Sequence, residues 1–187
     1  MNEASPSKDK AQMFPIDMAR APVTNKKSGE LRNFAFLLQE NFSMMALTSA
    51  LDALRTANLL SEEDLYTFRL VSLDGASVCS DLGFASMADQ ALGELDFDHM
   101  DAFIICGGLR VELQTAPQLI RFLRQSGIRK KALGSLWNGV FALANAGVMD
   151  GKMCAVHREN RASFRESFAA IDLKDKAYVI DNLCFSC

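Results

Sequence analysis

The segment Gly134-Ser135-Leu136-Trp137-Asn138-Gly139 joins a buried apolar run to a helix-forming run through a turn with a glycine at each end. Such a strand-to-helix turn can hold its central residue in a strained conformation, so that a Ser or Cys projects beside backbone N–H groups able to stabilise an oxyanion. Here the central residue is Trp137, which has no nucleophilic atom. Ser135 lies two positions earlier, on the strand, and the chain has two histidines, His99 and His157, so a positioned base is scarce. The indole offers different chemistry, a π face that attracts cationic amines. Gly107-Gly108 is a second turn at the end of a buried run. No G-x-G-x-x-G accompanies it, which argues against NAD; its N–H groups are free instead to face a ligand carboxylate, with Leu109 and Arg110 next in line.

Cys79, Cys106, Cys154, Cys184 and Cys187 are an odd number on a chain large enough not to need disulfide staples, so they read as reduced thiols. Cys184 and Cys187 have CxxC spacing, and Cys154 and His157 share it. On a strand, residues three apart point to opposite faces, and no second pair completes a tetrahedral site. Neither a metal nor another cofactor is expected.

The elements that position these loops follow from periodicity. Phe34 to Leu38 is a buried strand, and Ser43 caps a helix running to about Leu60, with Leu47, Ala50, Leu51, Leu54 and Ala57 inward, Met44 and Met45 filling gaps at its start, and Asp52 and Arg55 outward. Tyr66 to Leu73 is a strand closed by Asp74-Gly75, and Val78-Cys79 begins a short one. Asp101 to Cys106 is the clearest buried strand. A helix capped by Thr115 follows, with Pro117 in its first turn, Leu119, Phe122 and Leu123 inward, and Gly127 closing it. Lys131 to Gly134 is a strand leading to the helix of Phe141 to Ala144, which ends at Gly147. Residues 158 to 168 read as a helix, and 178 to 187 as a hairpin turning at Asp181-Asn182. Alternating strands and helices imply a parallel sheet covered on both faces, with ligands at the carboxyl ends of the strands. Loops 39 to 43, 107 to 110 and 134 to 139 leave that edge, so Ser43, Gly108, Trp137 and Asn138 are expected to converge, with His157 entering from the following segment.

Composition narrows the function. The 187 residues are 49% hydrophobic and 23% charged, with a net charge of -3, enough for one core and too little positive field to hold nucleic acid. The cluster Arg121, Arg124, Arg129, Lys130 and Lys131 reads as solvated surface, as does His99. Residues 1 to about 30, with three of the four prolines, read as a flexible tail, leaving residues 31 to 187 as one domain. No apolar run reaches membrane-spanning length and the first 30 residues hold no signal-peptide core, so a cytoplasmic protein is expected.

Taken in order, Phe42-Ser43-Met44-Met45-Ala46, Asp52 to Asn58, Asp74-Gly75, Gly107-Gly108, Gly134 to Gly139, Leu143 to Gly147, Asp150-Gly151 and His157 resemble the amino-terminal domain of GlxA-type AraC-family transcriptional regulators. The resemblance covers about residues 31 to 187. It implies a PfpI-like, class I glutamine amidotransferase-like domain: an α/β flavodoxin-like sandwich with a mostly parallel sheet and helices on both faces. In the enzymes of that superfamily the catalytic cysteine would fall on Trp137, and an acidic residue of the first helix near Ala46; neither is present. His157 matches the histidine of the regulators' Thr-His-Trp-like segment, although Arg158 follows it. The resemblance implies a further helix and a helix-turn-helix region after Cys187, with DNA bound only there.

The function so implied is non-catalytic sensing of a small-molecule effector, an amino acid or a quaternary amine, by a homodimeric regulator domain. The contrasting reading is a PfpI-like hydrolase or glyoxalase. Trp137 either walls the ligand site or plugs a vacant catalytic cavity, and His157 reads as a hydrogen-bonded structural residue.

Overall fold

The computed structural model describes residues 31–61, 64–96 and 98–187. The expected tail at 1 to 30 lies outside them. In chain order the elements are β1 (Arg32–Leu38), α1 (Met44–Ser61), β2 (Tyr66–Ser72), β3 (Val78–Cys79), β4 (Ala85–Ser86), β5 (Gln90–Ala91), β6 (Ala102–Cys106), α2 (Pro117–Ile128) and β7 (Ala132–Leu136). They continue with α3 (Val140–Asn145), β8 (Met153–Ala155), α4 (Arg161–Ser167), β9 (Asp172–Lys174), β10 (Val179–Asp181) and β11 (Cys184–Ser186). Short 3-10 turns occupy Leu92–Glu94, Trp137–Gly139 and Arg158–Asn160.

Seven strands form the main sheet, in the order β10-β11-β7-β6-β1-β2-β5, and every neighbouring pair is parallel except β10 and β11. Alternation along the central strands divides the core. Leu37, Phe103 and Ile105 pack with Leu119 and Phe122 of α2 and Leu143 of α3. Phe36, Leu38, Ile104 and Cys106 pack with Phe42 and Leu47 on the α1 side. This is the period-2 signature of a sheet buried on both faces. The register then fixes the functional edge: Leu38 pairs with Cys106, and Cys106 with Leu136, so the loops after β1, β6 and β7 start side by side.

Several boundaries differ from the sequence expectation for local reasons. Ala116, not Thr115, precedes α2 and makes no side-chain cap; the Thr115 hydroxyl instead accepts a hydrogen bond from the Asn145 amide at 2.9 Å. Gly127 lies inside α2, and the chain reverses beyond it at Lys130, whose φ is +53°. Residues 158 to 160 form a 3-10 turn before α4. Met45 is 68% exposed and Leu47 is the only fully buried residue of α1, so that helix is covered along a narrower stripe than expected. Ser43 does cap it, its hydroxyl accepting the Ala46 N–H at 3.4 Å, while the Asp81 carboxylate accepts the Met44 N–H at 3.1 Å.

Candidate functional site

Trp137 opens the turn between β7 and α3 with φ +54°, a left-handed conformation uncommon for a large side chain. Its N–H donates to the Cys187 carbonyl at 2.8 Å. The half-buried indole stacks on the His157 imidazole, with ring centroids 4.5 Å apart and planes 19° from parallel. One face of Trp137 is therefore covered by His157. Contrary to expectation, His157 is held by this stack rather than by a side-chain hydrogen bond: its Nδ1 is buried with no partner among the described residues. An unpaired buried nitrogen is costly unless something satisfies it.

Behind the two rings, the loops interlock backbone to backbone. A Cβ on Gly107 would lie 2.3 Å from the Gly139 nitrogen, one on Gly108 2.3 Å from the Asn41 carbonyl oxygen, and one on Gly139 2.4 Å from that of Ile105. Only glycine permits this approach. The Ser43 N–H donates to the Gly107 carbonyl at 2.9 Å. Asn138 is 2% exposed; its amide donates to the Gly108 carbonyl at 3.1 Å and accepts from the Asn160 amide at 2.7 Å. The structure thus brings all five expected residues together in two groups. Ser43, Gly108 and Asn138 build the frame, with the Asn138 amide occupied by protein partners, whereas Trp137 and His157 form the half-exposed aromatic face. Asn160, which ties the 158–160 turn to the frame, was not anticipated, because the sequence reading places it inside a helix over 158 to 168 and gives it no partner.

Cys106, Cys154, Cys184 and Cys187 are held away from their reactive form. Burial pushes the Cys106 thiol far above its ordinary range, with Cys187 adding to the effect. Burial, assisted by Asp172, raises Cys154 to about 11. Burial also raises Cys184, against the opposing charge of Lys152, and Cys187, against a hydrogen bond at Trp137. A raised pKa withholds the thiolate, the reactive form. Among the described residues no group of three or more His, Cys, Asp or Glu stands together as a metal site.

The DJ-1/PfpI family model matches residues 32–186. The chain belongs to the DJ-1/PfpI family. Within it, this chain is similar to the HTH-type transcriptional regulator GbdR of Pseudomonas aeruginosa, at 32% identity over 166 residues, covering 89% of this chain and 45% of GbdR. The HTH-type transcriptional regulator GlxA of Rhizobium meliloti is 28% identical over 168 residues, covering 88% of this chain and 51% of GlxA. The chain therefore spans about half the length of the curated relatives it matches. The crystal structure of an AraC family transcriptional regulator from Pseudomonas putida superposes with a TM-score of 0.76 at 38% identity, covering 83% of each chain. Drosophila melanogaster DJ-1beta shares the fold, with a TM-score of 0.69 at 19% identity and coverage of 83% of this chain and 80% of that one. The mostly parallel sheet with helices on both faces is the DJ-1/PfpI form of the flavodoxin-like architecture, and the relatives GbdR and GlxA are transcriptional regulators.

Proposed function

We propose that this DJ-1/PfpI chain is the non-catalytic sensing and dimerisation domain of an AraC-family transcriptional regulator, and that its effector is a small amine, an amino acid or a quaternary ammonium. The observation that carries this reading is Trp137, held at φ +54° in the strand-to-helix turn with its indole on His157. The turn keeps the strained geometry useful to a nucleophile, yet presents an aromatic face. The reading is supported by the regulators among its relatives. The effector lies against the free face of Trp137, and the unpaired Nδ1 of His157 supplies a polar contact once the ring yields toward it. Ser43, Gly108 and Asn138 hold the frame that keeps the two rings in place.

A hydrolase or glyoxalase would need an accessible thiolate. Cys106 and Cys154 are 1% and 0% exposed and their pKa values are raised, so neither substitutes for the residue that Trp137 replaces. DNA contact belongs to a helix-turn-helix domain outside residues 1–187, because the net charge of -3 gives this portion no phosphate-binding field. No described helix is long and apolar enough to cross a membrane, in keeping with a cytoplasmic regulator. Homodimerisation is favoured by Leu82, Phe84 and Met87, which are 64%, 64% and 80% exposed within one short stretch around β4. The test is titration of the chain with choline, carnitine, glycine betaine and arginine while following the emission of Trp137, the sole tryptophan. Saturable change with at least one of them supports the reading; no response from any, with no heat of binding, opposes it.

A further inference from the structure

A cavity of about 490 Å³ opens at the carboxyl ends of β1 and β2, under the segment that enters α2. None of Ser43, Gly108, Trp137, Asn138 or His157 lines it. Its place follows from topology: β1 is flanked by β2 on one side and β6 on the other, so the connections diverge at this point and leave a crevice. The volume falls within the range of small-molecule sites. Its wall is apolar at Leu37, Leu38, Val111 and Leu119, which suits a hydrocarbon body.

The charged groups in the lining are all carboxylates. Glu40, Asp74 and Glu112 line the cavity, and among the described residues no Lys, Arg or His does. Glu40 accepts the Cys79 N–H at 3.3 Å through Oε2, and Asp74 accepts the Ala76 N–H at 3.0 Å through Oδ1, so each has a second oxygen free; the Glu112 side chain makes no described hydrogen bond or ion pair. The first turn of α2 also contributes Ala116 and Pro117. A helix start carries about half a positive charge, which is outweighed by three formal negative ones. The field selects a cation. Gln39 refines the choice, because its Oε1 is buried with no hydrogen-bond donor among the described residues. When that amide turns toward the cavity it gives up no hydrogen bond and gains one from any ligand with an N–H. A quaternary ammonium has none to offer.

We propose that this cavity is a second metabolite site, for a small organic cation that carries N–H donors on an apolar body. It goes beyond the site at Trp137 and does not depend on it. The test uses three probes of matched shape: n-butylammonium, butyltrimethylammonium and butyrate, titrated into the ¹⁵N-labelled chain. The expected result is saturable shifts of the Gln39, Ser77 and Glu112 amides with n-butylammonium, roughly threefold weaker binding of butyltrimethylammonium, and none with butyrate. Glu112→Gln, which keeps the volume and removes one charge, should weaken n-butylammonium roughly threefold. Ser77→Trp, which fills the cavity from its rim, should abolish the shifts while the rest of the spectrum stays folded. Shifts confined to Trp137, Asn138 and His157 would overturn this site and leave the sensing proposal standing. Equal binding of all three probes, or no shift at the cavity amides, would also overturn it.

Discussion

At the scale of single residues, the account turns on Trp137. With one indole face against His157, a cation has one face left, so Trp137→Ala should weaken an amine effector by about 0.5 to 2 kcal/mol, measurable by calorimetry. His157→Phe keeps the stack but removes the unpaired nitrogen, and should separate a polar contact from mere ring support. The thiols give an independent check. Cys154 is raised from 9.0 to about 11 by burial, so below pH 9 its burial contributes in full; above that the unfolded chain ionises first, and this contribution is lost as pH rises through about 11. Urea midpoints followed from pH 7 to 11 should fall across that window, and fall less in Cys154→Ala. The strained turn was legible from two flanking glycines and a buried run before them. What sequence did not reveal was how each polar group is used: the Asn138 amide is consumed by Gly108 and Asn160, residues 30 and 22 positions away, and the His157 Nδ1 finds no partner among the described residues.

At the scale of elements, the site depends on loops packed closer than side chains permit. Gly107→Ala and Gly139→Ala each set a Cβ within 2.4 Å of backbone and should destabilise by about 1 to 3 kcal/mol, a clear fall in melting temperature. Gly93→Ala is the control, because its nearest neighbour would be the Gln118 amide at 3.7 Å. Asn138→Leu is expected to loosen the same junction by leaving the Gly108 carbonyl and the Asn160 amide without their partner. The long elements were readable because periodicity accumulates over them: β1, α1, β2, β6, α2 and β7 lie where the apolar pattern puts them. The two-residue β4 and β5 and the three-residue β8 and β9 were not, since strands so short carry no period and exist only through their partners. Thr115 misled for a similar reason, its hydroxyl being claimed by Asn145 across the fold.

At the scale of the whole molecule, parallel register aligns the ends of β1, β6 and β7, and family membership places the chain in an architecture it shares with transcriptional regulators. On the proposed reading, Trp137 leaves the strand-to-helix turn without an atom that can attack. As a sensor, the chain should show no turnover of methylglyoxal or chromogenic amides above buffer, and the acidic folded part should give no sequence-specific retardation of duplex DNA by itself. The most direct measurement is calorimetric titration of the chain and of Trp137→Ala with choline, carnitine, glycine betaine and arginine, with the recovered ligand assayed afterwards. The account predicts one saturable ligand, recovered unchanged, bound roughly 2- to 30-fold more weakly by the variant, the factor that 0.5 to 2 kcal/mol represents. A tight ligand whose affinity is the same in both proteins, or one that is converted to product, would contradict it.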